Sequence, residues 1–405
     1  MNATSVPDRA WEQVFRAEHG RVVATLARRF GDLDLAEDAT SEALVVALEK
    51  WPEEGLPPNP GAWLTTVGAR KALDRLRREA KRDGKQQEAV TMVDDSPPDD
   101  LGVVEDDRLR LVFTCCHPAL APENRVALTL RMLGGLTVAE IARAFLVPET
   151  TMAQRITRSK AKIKQAKIPY RVPREADLPA RVGGVLAVLY LVFNEGYLAT
   201  SEDTDPIRGE LCDEAVRLTR LVVQLMPDEP EALGLLALML LIDARREARE
   251  RDGVLVTLDQ QDRRLWDAER IDEGHALVRR CLQVGRPGPY QLQAAIQAVH
   301  DDALEFPDTQ WDQVVALYDQ LLAVAPSPIV VMNRAVAVAE LDGPEVGLAL
   351  VEGLDLDGYH AWHATRADLL RRLGRSDEAR DAYLRAAELT QNAAERAWLR
   401  ARSTG

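Results

Sequence analysis

The sequence predicts an all-α protein with more than one domain. Aromatic residues make up only 5% of the chain, while Ala, Leu, Arg and Glu recur throughout, and this composition favours helices over β-branched strands. Apolar residues recur at intervals of three and four, which indicates amphipathic helices. Because 405 residues exceed what one compact core usually holds, we expect two or three domains.

Three helices are predicted in the N-terminal part of the chain. The first covers residues 10–30 and stops at Gly31, since glycine commonly ends a helix. Asp34 can cap the second helix, which runs until Pro52. After a loop, Asn59 caps a third helix whose apolar side faces inward and whose opposite face is basic. These helices are expected to form one domain over residues 1–83.

The distribution of charge matters more than its sum. A net charge of −14 argues against nucleic acid as a partner, because a DNA-binding surface must neutralise phosphates. The average is misleading, because residues 70–85 hold eight Lys and Arg against three acids, and residues 155–174 hold eight and no acid. These two basic segments suit local phosphate contacts, although solvated helix faces have a similar composition.

A helix-turn-helix is predicted after an acidic linker. Residues 84–104 are rich in Asp, Glu and Pro and are expected to be a flexible tether. Residues 105–172 return to helical patterns, and TVAEIARAF is followed by a short turn and PETTMAQRITRSKAKIKQ. The second of these helices turns Met152, Ile156, Ser159 and Ile163 inward. Its free face suits a DNA major groove, and a packed hairpin with a basic face is the alternative. That face carries Thr150, Thr151, Gln154, Arg155, Thr157, Arg158 and Lys160.

The remainder of the chain, residues 173–405, is predicted to be a helical-repeat domain. Segments that begin at Asp213, Asp312 and Asp377 align without gaps, and one from Asp272 aligns more loosely. Their spacing is close to multiples of about 33 residues, the period of tetratricopeptide helix pairs. Unrelated amphipathic helices that end at proline would give a similar match.

Two residue clusters resemble functional sites only weakly. Cys115, Cys116 and His117 are adjacent rather than spaced in pairs, so we predict buried cysteines and no metal site. Asn194, Glu195 and Tyr197 could seat an enzyme site but have no nucleophile and base pair. No cofactor is expected. The four cysteines follow no disulfide framework, and neither a signal peptide nor a membrane span is recognisable, so a cytoplasmic location is expected.

The helix-turn-helix resembles region 4 of bacterial RNA polymerase sigma factors of the extracytoplasmic-function (ECF) type, within the sigma-70 family. Thr151, Arg155 and Arg158 occupy positions of the family's recognition helix, whereas Ala153 departs from its usual long polar residue. The resemblance implies that the free face of this second helix reads the minus-thirty-five promoter element. As implied partners it adds promoter DNA and core RNA polymerase, including the β flap.

The first 80 residues resemble sigma region 2. In that family the helix LDLAEDATSEALVVALEKW docks on the β′ clamp coiled coil of the polymerase, which assigns Asp38 and Glu42 to polymerase binding; Ser41 replaces a frequent Gln. The following segment opens the minus-ten element, where a flipped base would be held by the loop at residues 56–62. The residues implied in minus-ten binding are Asn59, Trp63, Arg70, Lys71, Arg75 and Arg78.

Across its whole length the chain resembles sigma factors that carry a long tetratricopeptide-like C-terminal extension. The resemblance implies a non-enzymatic transcription initiation factor whose extension contacts and controls its own sigma domains. Two alternatives remain from the residues: a ligand-sensing helix-turn-helix regulator that never joins polymerase, and an enzyme at Asn194, Glu195 and Tyr197.

Overall fold

The protein is all-α, as predicted. A computed structural model describes residues 6–82, 102–144, 147–197, 209–251, 254–390 and 392–404, and it divides into two compact units. Two short strands, β1 (Glu250–Arg251) and β2 (Val254–Leu255), pair antiparallel. The helices are α1 (Val6–Phe30), α2 (Leu33–Glu54), α3 (Pro60–Arg82), α4 (Gly102–Cys115), α5 (Pro122–Met132), α6 (Val138–Ala144), α7 (Glu149–Gln165), α8 (Leu178–Tyr197), α9 (Gly209–Leu225), α10 (Pro230–Asp243), α11 (Ala268–Val284), α12 (Pro289–Asp302), α13 (Trp311–Val324), α14 (Pro328–Asp342), α15 (Pro344–Glu352), α16 (His360–Arg372), α17 (Ser376–Leu389) and α18 (Ala393–Ser403).

Unit 1 contains Met1–Gly196 and Gly209–Leu221, and its first three helices pack against one another. The cap of α2 is Asp32 rather than the predicted Asp34. Asp32 has extended backbone angles, and its carboxylate accepts from the backbone N–H groups of Asp34 and Leu35, which is the geometry of an N-cap. Pro52 lies within the last turn of α2 instead of after it, and Gly55, with φ of 83°, ends the helix. Near a C-terminus proline removes few helical hydrogen bonds.

The helix-turn-helix is formed by α6 and α7. Before α6, Thr137 and Glu140 exchange hydrogen bonds: the Glu140 carboxylate accepts from Thr137 N–H at 2.7 Å, and Thr137 Oγ1 accepts from Glu140 N–H at 3.2 Å. This capping box fixes the start of α6. Its partner helix α7 buries Met152, Ile156, Ser159 and Ile163. The predicted inward face of α7 is therefore confirmed.

The predicted acidic linker, residues 84–104, lies outside the described residues except for 102–104, which belong to α4. The predicted start of the extension at residue 173 also differs from the boundary between the units. Most of α8 and the stretch Gly209–Leu221 belong to unit 1. They contribute buried contacts there: Arg181 Nη2 donates to the Phe113 carbonyl oxygen at 2.6 Å.

Among the described residues, unit 2 contains Tyr197 and those within Val222–Gly405. Its consecutive helices pack as neighbours from α10 to α18, as expected of α–α repeats. The predicted segments from Asp272, Asp312 and Asp377 fall in α11, α13 and α17. Each of these helices packs on the helix that follows it. The segment from Asp213 lies in α9, whose residues are divided between the two units.

The four cysteines are buried and unbonded to one another. Burial raises the pKa of the Cys116 thiol to about 12, so it stays protonated. Among the described residues no group of His, Cys, Asp or Glu side chains is placed to hold a metal ion. The described helices also include none that is long and apolar enough to cross a membrane.

Candidate nucleic-acid interface

The outward face of α7 is a row of polar side chains. Thr150, Gln154, Thr157 and Arg158 are exposed, while Thr151 and Arg155 are half-buried. The row follows from the helical period, because the opposite side of α7 is buried in unit 1. Thr157 Oγ1 donates to the Ala153 carbonyl oxygen at 2.9 Å, and Arg158 Nη2 reaches Gln154 Oε1 at 3.5 Å. These are contacts within one helix, so the row is accessible to a partner.

The side chain of Lys160 is directed toward α2 and away from the outward row of α7. Its side chain is only 12% exposed, and its ammonium contacts Asp34 Oδ1 at 2.5 Å and Glu37 Oε2 at 2.8 Å. It lies four residues after Ile156 and three before Ile163, so it borders the buried stripe of α7. The sequence pattern placed it with the outward row because its acidic partners are on α2, more than 120 residues earlier.

The start of α3 combines a cap with an aromatic cluster. Asn59 Oδ1 accepts from the Ala62 backbone N–H at 3.0 Å, so this side chain caps the helix as predicted. Trp63 is half-buried against Trp51, with ring centroids 5.4 Å apart, and Trp51 also packs on Phe15 at 5.1 Å. The first turn of α3 is thereby packed against the end of α2, which in turn packs against α1.

The basic face of α3 meets acids of α2. Arg70 and Arg78 are exposed. Arg75 pairs with Asp38, and this hydrogen bond raises the pKa of Arg75. Lys71 Nζ lies 3.8 Å from Glu42 Oε2. The two residues implied in polymerase binding therefore contact two of the residues implied in DNA binding, because α2 and α3 pack side by side.

An exposed apolar pair extends the row of Asp38 and Glu42 along α2. Val45 is 54% exposed and Leu48 is 53% exposed, although α2 belongs to a packed bundle. Residues 38, 42, 45 and 48 follow the spacing of one helix face. Sequence reasoning missed Val45 and Leu48. The sequence signal for them is the run LVVAL at residues 44–48. Five consecutive apolar residues surround the helix, so some of them must lie outside the face that packs in the bundle.

The cluster at the end of α8 has a structural role at Tyr197. The Arg249 guanidinium lies 3.2 Å from the centroid of the Tyr197 ring, and Arg249 Nη1 donates to the Tyr197 carbonyl oxygen at 2.5 Å. This combination of a cation–π contact and a backbone hydrogen bond fixes the helix end. Asn194 and Glu195 are half-buried beside it in sequence.

Comparisons with known proteins agree with this geometry. Family models described as Sigma-70 region 2, as Sigma-70, region 4, and as a family of unknown function (DUF6596) match residues 14–82, 110–163 and 181–282. An uncharacterized protein of Rhizobium meliloti (strain 1021) is 44% identical over 389 residues, covering 94% of this chain and 92% of that protein. The ECF RNA polymerase sigma factor SigK of Mycobacterium ulcerans (strain Agy99) is 30% identical over 146 residues, 34% of this chain and 74% of SigK. SigK of Mycobacterium bovis (strain BCG / Pasteur 1173P2) is 27% identical over 154 residues, 36% of this chain and 80% of SigK.

Proposed function

Because the chain belongs to the ECF sigma factors of the sigma-70 family, we propose that α7 reads the minus-thirty-five element and that α3 with its preceding loop binds the minus-ten element. Sigma factors are transcription initiation factors that act with RNA polymerase on promoter DNA, and they are not enzymes. Asn194, Glu195 and Tyr197 are accordingly given no catalytic role.

The observation that carries the minus-thirty-five proposal is the exposed row of α7. Gln154 and Arg158 are one helical turn apart, and within the part of the chain that the structure describes neither side chain has a hydrogen-bond partner outside α7. Arginine and glutamine can each form paired hydrogen bonds with base edges, and one such pair contributes about 1–3 kcal/mol of discrimination. Thr150 and Thr157 flank them at positions suited to phosphate oxygens. The half-buried Thr151 and Arg155 border the same surface.

The test requires the cognate promoter first, which is found by sequencing DNA retained by the protein with core polymerase. Run-off transcription then compares Arg158→Ala with Arg171→Ala, an exposed arginine that lies after the end of α7. We expect the Arg158 variant to lose about tenfold in output and to tolerate changes at one minus-thirty-five base pair. Equal losses for both variants, with selectivity intact, would contradict base reading by this face.

For the minus-ten element we propose that the basic face of α3 binds phosphates and that the loop before α3 holds an extruded base. Arg70 and Arg78 are exposed on α3 for backbone phosphates, with Lys71 and Arg75 beside them once their acidic partners on α2 are displaced. Asn59 fixes the junction between the loop and α3 as the cap of that helix, and Trp63 supports the junction from the first turn of α3. Binding an extruded base offsets part of the unstacking free energy, so the duplex can open without ATP.

We propose that polymerase docks on the face of α2 formed by Asp38, Glu42, Val45 and Leu48, with the β′ clamp coiled coil as partner; the β flap is the proposed partner of the helix-turn-helix unit. The apolar pair would supply burial and the acids orientation. Co-elution with core polymerase tests this with Leu48→Asp, which should abolish the complex. Leu225→Asp, at a leucine of similar exposure in α9, is the control and should leave the complex intact. A protein that binds promoter DNA yet never co-elutes would instead be a regulator of another class.

We also propose that the extension controls the sigma domains. A deletion that tests this must remove part of unit 2 and leave unit 1 intact. Removal from residue 175 would take α8 and part of α9 out of unit 1, whereas a chain ending at Leu221 keeps unit 1 whole. Run-off transcription by that shorter chain should differ from that of the full chain. Equal output would contradict control by the remaining repeats.

A further inference from the structure

A groove in unit 2 lies between the β-hairpin and the last helix. Strand β2 packs against α18, although the two elements are far apart in sequence. The groove has a volume of about 600 Å³, which is within the range of about 300–1,000 Å³ typical of small-molecule pockets. Its described lining residues all belong to unit 2, so the groove is formed within one compact body.

The walls of the groove are mainly apolar. On the hairpin side Val254 is 52% exposed. On the helix side Trp398 is half-buried, and its ring packs on the core of the last helices, with its centroid 6.5 Å from that of Tyr383. The other lining residues of α18 include three with short apolar side chains, Ala394, Ala397 and Ala401. A flat apolar molecule can therefore pack between the hairpin and the Trp398 ring.

The groove carries an excess of positive charge. Three of its lining residues are Arg251, Arg371 and Arg402, and none of its described lining residues is acidic. Asp368, which does not line the groove, lies 2.6 Å from Arg371 Nη2 and 4.0 Å from Arg402 Nη1 through its Oδ1 atom. Arg251 is exposed and forms no ion pair with a described residue. Three guanidinium groups thus share one carboxylate.

The Arg402 guanidinium also links the charge of the groove to its aromatic wall. Its central carbon lies 4.8 Å from the centroid of the Trp398 ring, which is the distance of a cation–π contact. An anionic group that binds Arg402 is therefore close to the surface on which an aromatic ring would stack. A cation would be repelled by the three arginines, and a neutral apolar molecule would leave their charge uncompensated.

We propose that this groove is a binding site for a small aromatic anion. The ring of the ligand packs between Val254 and Trp398, and its anionic group lies beside the guanidinium groups of Arg251 and Arg402. Arginine suits this role because its N–H groups bind oxyanions in pairs and its plane stacks on aromatic rings. The site goes beyond the proposed reading of promoter elements and does not depend on it.

Two probes with the same rings test the charge preference in the full chain. Anilinonaphthalene sulfonate is a fluorescent aromatic anion, and phenylnaphthylamine has the same ring system without the sulfonate. Isothermal titration calorimetry gives the affinity and the stoichiometry of each probe. We expect one molecule of the sulfonate per chain and about tenfold weaker binding of the neutral compound, because only the sulfonate meets the guanidinium groups.

Two variants at exposed positions locate the site, each with a matched control. Val254→Asp removes an apolar wall and adds a negative charge, and Leu341→Asp makes a similar change at a leucine of 50% exposure outside the groove. Arg251→Gln removes one positive charge, and Arg286→Gln does so at an exposed arginine elsewhere in unit 2. We expect sulfonate binding to weaken about tenfold for Val254→Asp and about threefold for Arg251→Gln. Both controls should bind as the wild type does.

Circular dichroism confirms that each variant is folded. Equal affinity of Val254→Asp and Leu341→Asp for the sulfonate would overturn the site, as would equal binding of the two probes or the lack of saturable binding to the wild type. These measurements use neither polymerase nor DNA, so their outcome is separate from that of the promoter experiments.

Discussion

Asp301 in α12 carries a buried carboxyl whose protonation should control the stability of unit 2. Its side chain is 0% exposed, and Arg245 Nη1 approaches Oδ1 only to 3.8 Å; neither carboxyl oxygen has a hydrogen-bond partner. Burial raises the pKa of Asp301 from 3.8 to about 7, against the opposing influence of Arg245 and Arg263. Between pH 3.8 and about pH 7, Asp301 is deprotonated in the unfolded chain but keeps its proton in the folded chain. The free energy of unfolding should therefore fall as pH rises, by about 4 kcal/mol for a shift of about three units.

The neighbouring His300 has the opposite effect. Burial, with Arg245 and Arg263, lowers its pKa from 6.5 to about 4. As pH falls through this window the unfolded chain binds the proton first, so stability is lost toward acid pH by about 3 kcal/mol. The two slopes nearly cancel in the wild-type protein, and a flat profile would conceal both.

Asp301→Asn removes the pH dependence of stability that Asp301 causes, so the opposite dependence caused by His300 becomes visible. Urea unfolding from about pH 4 to pH 8, followed by tryptophan fluorescence, gives the difference in unfolding free energy between variant and wild type. We expect this difference to grow by about 4 kcal/mol in favour of the variant as pH rises to 7. The control is Asp302→Asn, which makes the same substitution at the neighbouring carboxylate, whose side chain is 72% exposed. Parallel curves for wild type and Asp301→Asn would refute the reasoning.

Three further predictions concern unit 1. Asn59→Ala removes the cap of α3 and should lower the free energy of unfolding by about 1 kcal/mol in urea titrations, with reduced promoter opening measured by permanganate footprinting; unchanged stability would contradict the capping role. Glu214→Gln removes the ion pair of the buried Arg108, whose Nη1 lies 3.0 Å from Glu214 Oε2. The free energy of unfolding should fall by about 3 kcal/mol, measured by thermal unfolding. Arg217→Gln, at the more exposed side of the same carboxylate, should have a smaller effect. A thiol reagent should leave Cys116 unreacted until denaturant is added, because burial keeps its thiol protonated; reaction in the native protein would contradict that environment.

Local features were predictable from the sequence, whereas contacts between distant elements were not. The inward face of α7 follows from its apolar period alone, and the Asn59 cap follows from residue type and position. The choice between Asp32 and Asp34 depends on backbone angles, and both residues suit a cap by composition. Lys160 was assigned to DNA because no local pattern reveals an acid on α2. The segment from Asp213 is a good amphipathic helix, but amphipathicity does not specify which body covers its apolar face.

The position of α2 explains how a protein of net charge −14 can present two basic segments for DNA. One side of α2 directs Asp34 and Glu37 toward Lys160 of α7. Another side directs Asp38 and Glu42 toward α3. Each basic segment is therefore neutralised in part by the same helix in the free protein. Promoter phosphates must displace these carboxylates, so the internal ion pairs offset part of the gain from phosphate binding. The proposed polymerase face also lies on α2. Polymerase that binds there would contact the same helix that holds carboxylates against both basic segments. We therefore expect polymerase binding and DNA binding to be coupled through α2.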